Sequence, residues 1–318
     1  MGRSDPHGPG VDGVLLADKP AGCTSHDVVE AIRRRLPGVR VGHAGTLDPF
    51  ATGLLPLSLG RATRLTSWLI ACDKVYQGWV RLGVATDTYD RTGRPLQEPV
   101  AVRVERDRLE EVLRSLSGER LQTPPPYSAK KVGGVAAHEL ARRREKFTLK
   151  PVPVEVYRYD ITEVEDSTAR FEIECAAGTY IRSLAHELGL KIGCGAHLVE
   201  ICRTASGEFT LPQALTLEEL EKVVAEERLP QVLVPSGELL PDLPLAVVPE
   251  GLERRLRHGG RIELSDAQIQ APRLDAPIDS EEWKPLRLRV LNQRRDLVAI
   301  AQAIVPRVFQ PIVVLPAK

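Results

Sequence analysis

The sequence predicts an α+β protein: a mixed, largely antiparallel central sheet flanked by helices, with a small C-terminal β-rich domain. Three observations carry this reading. Strand-like and helix-like patterns alternate irregularly, with hairpin-like neighbours at 152–164 and 169–176, where a doubly wound sheet would alternate regularly. Pro235, Pro241, Pro244 and Pro249 punctuate a stretch that reads as a linker. Beyond it, Leu286, Leu288 and Val290, then Val298 and Ile300, alternate as short strands between turns. The resulting division is a flexible tail at 1–10, a main domain at 11–235, a linker at 236–250 and a β-rich domain at 251–318.

Taken in order, the apolar run from Val11 to Ala17 ends in the turn signal Asp18-Lys19-Pro20-Ala21-Gly22. Thr24 and Asp27 have capping-box spacing, Val28, Val29, Ile32 and Leu36 share a helical face, and Pro37-Gly38 stops the helix. Residues 42–60 are rich in glycine and proline yet apolar, which predicts a structured loop; 61–71 reads as helix. Tyr76, Gly78, Val80, Leu82 and Val84 alternate along a strand. Leu109, Val112, Leu113 and Leu116 repeat at helical spacing and end at Gly118. After the hairpin, with its turn at Glu165-Asp166-Ser167, a helix over about 180–188 closes on Gly189 as a left-handed cap.

An apolar share of 42% supports a real core, and no run approaches the ~20 apolar residues of a membrane span. The first residues lack a signal-peptide stretch, and five cysteines, scattered and odd in number, argue against a disulfide framework. A cytoplasmic protein is expected. Formal charge is zero, but it is segregated. Residues 120–150 carry Arg120, Lys130, Lys131, Arg142, Arg143, Arg144, Lys146 and Lys150 against Glu139 and Glu145, while 216–250 is acidic. Local patches set the field that a polyanion meets, so RNA binding is permitted.

No dinucleotide fingerprint, Walker loop, His-Glu-x-x-His or serine-hydrolase elbow is present. Cys194 and His197 are spaced like half a zinc site without a matching second half, so neither metal nor cofactor is expected. What remains is Asp48, biased toward extended backbone by Pro49 and flanked by Gly42, Gly45 and Gly53. Such a carboxylate projects into a cleft or merely caps a turn. Arg182 lies about 100° round the helix from the core-facing Ile181. It faces either solvent or a site, although a helix start prefers anions. Tyr76 opens its strand as a core residue with a wet tip, or as something more.

Together these segments resemble a family. The strings Gly-His-Ala-Gly-Thr-Leu-Asp-Pro-Phe-Ala-Thr-Gly (42–53), Lys-Val-Tyr-Gln-Gly-Trp-Val-Arg-Leu-Gly (74–83), Pro-Pro-Tyr-Ser-Ala-Lys-Lys (125–131) and Gly-Thr-Tyr-Ile-Arg-Ser-Leu (178–184) are similar, in order and spacing, to the TruB-type bacterial tRNA pseudouridine-55 synthases. The match runs from about residue 11 to 217, and more weakly the C-terminal domain resembles the family's PUA-like RNA-binding domain. The resemblance implies the pseudouridine synthase fold, no cofactor, and a monomer whose partner is the T-stem-loop of tRNA.

By the same resemblance, Asp48 is the catalytic aspartate, Tyr76 stacks on the target base and Arg182 pairs with Asp48. His43 fills the space left by the flipped base, or else is a loop histidine bonded to backbone. Tyr180, Arg64, Lys130, Lys131 and Lys19 join it as substrate- or RNA-contacting candidates, Lys19 with a structural role in view. The basic 120–150 stretch is expected to be a flexible RNA-gripping insertion. Two alternatives stay open: the same chemistry on another or guided RNA, and an RNA-binding protein whose catalysis is dispensable.

Overall fold

Where the local pattern is strong, the chain follows it. The computed structural model describes residues 11–103, 105–270 and 286–317, so the tail expected at 1–10 lies outside the described residues. Strand β1 (Gly13–Lys19) leads to helix α1 (Ser25–Arg35), where Thr24 and Asp27 form the expected capping box. β2 (Val41–His43) and β3 (Thr52–Leu59) flank a loop at 44–51. A 3-10 turn at Gly60–Leu65 runs into α2 (Thr66–Ala71) and then β4 (Lys74–Leu82). α3 (Arg106–Leu116) and β5 (Gly118–Gln122) precede a small hairpin, β6 (Lys131–Val132) and β7 (Val135–Ala136), and α4 (Ala137–Arg142). The long hairpin β8 (Val152–Glu165) and β9 (Thr168–Cys175) turns through Asp166 at φ +44°. α5 (Ile181–Ile192), β10 (Ala196–Ser206), β11 (Phe209–Thr210), β12 (Leu215–Thr216), α6 (Leu217–Ala225), α7 (Leu229–Val232) and β13 (Val234–Pro235) complete this part.

Eleven of these strands form one sheet: eight follow the path β12-β1-β3-β10-β4-β9-β8-β5, while β2 pairs with β3, β11 with β10 and β13 with β1. Its pairings are antiparallel except β1 with β12 and β3 with β10, which bears out the mixed, mainly antiparallel expectation. A single apolar cluster packs α1, α3, α5 and α6 onto it through Val28, Ile32, Leu109, Leu113, Leu184, Leu188 and Leu220. Among the described residues no helix is long and apolar enough to cross a membrane.

The second, six-stranded sheet has the order β15-β19-β18-β17-β14-β16. Its strands are β14 (Leu245–Val247), β15 (Ile262–Glu263), β16 (Ile269–Gln270), β17 (Arg287–Leu291), β18 (Leu297–Val305) and β19 (Val308–Val314), with α8 (Glu250–Arg257) beside them. It is the β-rich C-terminal module the alternations predict.

Four expectations need correcting. Residues 52–59, expected as loop, are a central strand pairing β1 over its whole length. Pro56 is tolerated there because its carbonyl, and so its missing donor, faces Ala44 and not β1. The presumed linker carries β14, and its first part wraps the buried guanidinium of Arg289, which donates to the carbonyls of Gly237, Leu239, Pro241 and Leu243. The basic 120–150 stretch is not featureless: it contains the end of β5, the β6–β7 hairpin and α4, with no regular structure at 123–130 and 143–150. Gly189 does not end its helix: α5 continues to Ile192, and Gly193 at φ +87° is the left-handed cap.

The reason for Gly189 is packing. A Cβ there would lie 2.1 Å from the Ala196 nitrogen of β10, so only glycine lets α5 approach the sheet this closely. Helix propensity favours alanine over mid-helix glycine by about 1 kcal/mol. Gly189→Ala is nevertheless expected to destabilise the protein by about 1–3 kcal/mol in chemical denaturation, because overpacking outweighs propensity. Unchanged or increased stability would show that the contact is loose.

Candidate active site

The loop at 44–51 has no regular structure, so its backbone groups must find partners elsewhere. They do so at nearly every residue. The Ala44 nitrogen donates to Pro56, and Gly45 accepts from Arg203 at 3.2 Å. The Ser25 hydroxyl both receives the Leu47 N–H (2.8 Å) and donates to the Leu47 carbonyl (3.1 Å). Pro49 accepts from the Gly22 nitrogen, and the Lys19 ammonium donates to Ala51 at 2.6 Å and Pro20 at 2.8 Å. Gly45 (φ +103°) and Gly53 (φ +98°) supply the conformations an L side chain resists; Gly42 has no such φ. The structured loop of the sequence reading is therefore a braced one.

Asp48 sits at its apex. The Arg182 guanidinium grips it from the side, Nε to Oδ2 at 2.8 Å and Nη2 to Oδ1 at 3.0 Å, a bidentate charge-assisted pair. Nη2 also donates to the Tyr127 carbonyl and Nη1 to that of Thr88, while Asp90 Oδ2 lies 3.5 Å from Nη1. Arg182 is buried, so it faces Asp48 and not solvent. Asp48 keeps 37% of its side chain exposed, enough for a ligand to reach. Asp90, by contrast, is buried and ringed by the Thr88 and Thr92 hydroxyls and the Thr92 nitrogen. The cluster thus presents one accessible carboxylate, held at two points by a guanidinium, while the second is enclosed. Burial raises the Asp48 pKa above the usual range; Arg182 pulls it down, and the Asp90 charge adds to the rise.

Tyr76 lies on β4, partly buried against the main core, its phenol pushed up by burial and drawn down by Arg203. Tyr180 is the N-cap residue of α5, clamped through its backbone by the buried Gln122 amide: N–H to Oε1 at 2.8 Å, carbonyl from Nε2 at 3.1 Å. His43 ends β2 half-buried, and its Nδ1 has no hydrogen-bond partner among the described residues. Burial and then Arg203 push its pKa down, which favours the neutral ring.

The proposed RNA contacts fare differently. Lys19 is fully buried, its ammonium enclosed by backbone carbonyls, so its place is beneath the loop and not on an RNA-facing surface. Arg64 is exposed and donates to the Val314 carbonyl of the C-terminal module. Lys130 and Lys131 are exposed at the start of the β6–β7 hairpin. None of these three bonds to the Asp48–Arg182 cluster among the described residues. Nor does any group of three or more His, Cys, Asp or Glu there have the arrangement of metal ligands.

Sequence reasoning missed Asp90, the Tyr127 carbonyl and Arg203. Asp90 had a faint signal, since Thr88-x-Asp90-x-Thr92 has the spacing of an Asx-type turn. That signal marks a turn, and nothing local ties it to an arginine on α5.

Comparison with known proteins agrees on one family. The sequence model of the TruB family pseudouridylate synthase N-terminal domain matches residues 33–181, and that of the tRNA pseudouridylate synthase B C-terminal domain matches 182–241. The chain is 45% identical to tRNA pseudouridine synthase B of Solibacter usitatus, over 96% of this chain and 100% of the relative. To the Heliobacterium modesticaldum protein of the same name it is 37% identical, over 92% and 91%. Among solved structures, a Cbf5–Nop10–Gar1 complex gives a TM-score of 0.70 at 27% identity, covering 96% of this chain and 84% of that one. An H/ACA ribonucleoprotein bound to a substrate RNA containing 2′-deoxyuridine gives 0.68 at 26%, with the same coverage.

The electrostatics of the cluster are open to direct measurement. In a protein labelled with 13C at aspartate carboxyls, Asp48 is expected to titrate at higher pH than exposed aspartates. Asp90→Asn removes a like charge, so the Asp48 midpoint is expected to move to lower pH. A midpoint that stays put or rises means Asp90 does not act on Asp48.

Proposed function

The chain belongs to the TruB family of pseudouridylate synthases, isomerases by activity, and we propose that it converts uridine 55 in the T-loop of tRNA to pseudouridine with Asp48 as nucleophile. The observation that carries the residue assignment is the bidentate Asp48–Arg182 pair on a loop braced at almost every residue. Isomerising uridine means breaking the C1′–N1 bond, turning the base over and joining C1′ to C5; the C5 proton is lost and N1 gains one. An ionised carboxylate at fixed position serves as the nucleophile that opens this sequence. Arg182 keeps it charged and aimed, a two-point hold that lysine cannot reproduce.

The target base must leave its stack to be reached. Tyr76 gives the ring a surface to lie on, and Tyr180, held by Gln122, is a second aromatic near Arg182. Asp48, Tyr76 and Arg182 all lie in this one chain, so the set needs no residue from a second subunit; in this reading the protein acts as a monomer, in the cytoplasm and without a guide RNA. In this reading the C-terminal module and the exposed Lys130 and Lys131 hold tRNA, and neutral His43 occupies the space the base vacates.

In tritium release from a [5-³H]uridine T-stem-loop transcript, the wild type is expected to turn over and Asp48→Asn to lose at least about a thousandfold, the scale of ~4 kcal/mol. Arg182→Lys should lose turnover by about 10–100-fold while RNA affinity stays within about threefold. No release by the wild type, or equal release by Asp48→Asn, removes the assignment. Separately, replacing Lys130 and Lys131 together with alanine should weaken tRNA binding and flatten the slope of log K against log salt by about two. A slope that is unchanged takes the hairpin out of the RNA interface.

A further inference from the structure

Asp48 and Tyr76 come from different elements, one from a loop and one from a strand, yet a base stacked on the ring has to meet the carboxylate at a set distance. Arg203 of β10 joins them. It is 1% exposed and among the largest fully buried side chains in the molecule. Its Nε donates to the Leu54 carbonyl at 2.7 Å and its Nη2 to the Gly45 carbonyl at 3.2 Å, so it grips the chain on both sides of Asp48. Gly45 leaves it room, since a Cβ there would stand 3.3 Å from Nη1. On β4 the residue directly opposite Arg203 is Tyr76, and directly paired side chains in a ladder lie in contact. The guanidinium charge also acts on the phenol, drawing its pKa down against the rise that burial causes.

What makes the arrangement informative is what Arg203 lacks. Arg182 has Asp48 and Asp90, and the buried Arg61 has Asp12 at 2.7 Å. Arg203 has no ion-pair partner among the described residues, and its charge acts unfavourably on both Lys74 and His43. A buried guanidinium without a counterion is costly, and an aliphatic side chain would pack a sheet centre at lower cost. The planar fork is what the position uses, because its donors point in fixed, different directions.

On the reading of the site given above, we propose that Arg203 is a positioning residue for pseudouridine formation: by holding the Gly45 and Leu54 carbonyls while paired with Tyr76 directly across the ladder, it sets the Tyr76 ring against the loop that carries Asp48. It touches no substrate. Its effect is on the geometry between two groups that do.

The test uses the full chain and three variants: Arg203→Lys, Tyr76→Phe and the two combined. Arg203→Lys is expected to lower single-turnover tritium release by about 10–100-fold, per folded molecule, with tRNA affinity within about threefold. If its effect passes through the Tyr76 hydroxyl, the double variant should be no more than about threefold slower than Tyr76→Phe alone. In a protein labelled with 3-fluorotyrosine, Arg203→Lys should also shift or broaden the Tyr76 resonance, a readout independent of any activity. Wild-type turnover in Arg203→Lys, losses that multiply in the double variant, or an unmoved Tyr76 resonance overturns the proposal. Should Arg203→Lys fail to fold, Arg203→Gln, which keeps two donors and drops the charge, takes its place in both measurements. A wild type that releases no tritium while its Tyr76 resonance still depends on Arg203 overturns the functional reading and leaves the clamp standing.

Discussion

The site rests on one electrostatic problem: a partly buried carboxylate has to stay ionised and still. Burial alone would drive a proton onto Asp48, and Asp90 a short distance away makes ionisation harder. Arg182 works against both without cancelling them, and a buried guanidinium brings its own demand for acceptors. The fold meets it from three separate segments: the Thr88 carbonyl with Asp90, the Tyr127 carbonyl, and Asp48 itself. Removing one partner of such a group typically costs about 3–5 kcal/mol, because the other charge is left uncompensated. The turn at 86–92, the start of the basic insertion and the N-terminus of α5 are thus bound to the loop by the needs of a single side chain. Gln122 and Ser183 reinforce the same junction, the latter by donating to Thr123 at 2.8 Å.

A second regularity follows from backbone chemistry. Irregular segments cannot satisfy their own carbonyls, and here buried cations do it for them. Lys19 closes the far end of the Asp48 loop, Lys74 caps the carbonyls of Leu69, Ile70 and Cys72 at the end of α2, and Arg289 holds 237–243. For Lys74 the enclosure is tight enough to bring its pKa down to about 8. This changes what the basic residues of the sequence mean. Lys19 and Arg289 are internal struts, and Arg120 pairs with Glu187 on α5, so the positive charge left to meet a polyanion is smaller than a count suggests. Exposed Lys130 and Lys131 at the hairpin, with Arg142, Arg144, Lys146 and Lys150 after it, are what remains of that patch.

Legibility in the sequence tracks how local each cause is. The Thr24–Asp27 capping box and the turn at Asp166 are decided within a few residues, and both stand where the pattern puts them. β3 was hidden because a central strand covered on both faces reads as a continuous apolar run, here interrupted by Pro56. Gly189 carries the same local signature as a helix cap, but its cause is the backbone of β10. The prolines at 235–249 look like a linker because nothing nearby announces Arg289, some fifty residues on. The same limit applies to the site. Asp48 and Arg182 are 134 residues apart, and neither is distinctive alone; only the family pattern joins them in sequence. Asp90 and Arg203 read as a turn residue and a strand residue until the fold sets each against its partner.

The two arginines divide the work in a way that also links the site to the C-terminal module. Arg182 has counterions and acts on charge; Arg203 has none and acts on shape. The Leu54 carbonyl that Arg203 holds belongs to a residue whose side chain lies in a second apolar cluster, together with Val14 and Leu16 of β1, Leu65 of the 3-10 turn, Leu69 of α2, and Leu291, Leu297, Ile300 and Leu315 of the C-terminal module. Arg64 and Arg61 add bonds across the same junction, to the carbonyls of Val314 and Pro316. The module therefore covers the strand that leaves the Asp48 loop, and its apolar contacts bear on the same residue as the clamp. Deleting it would strip the cover from Leu54 along with any RNA-binding surface, so a truncation mixes grip with geometry. Point changes at Arg203 and at Lys130–Lys131 separate them, because one set lies wholly inside the main sheet and the other wholly on the surface.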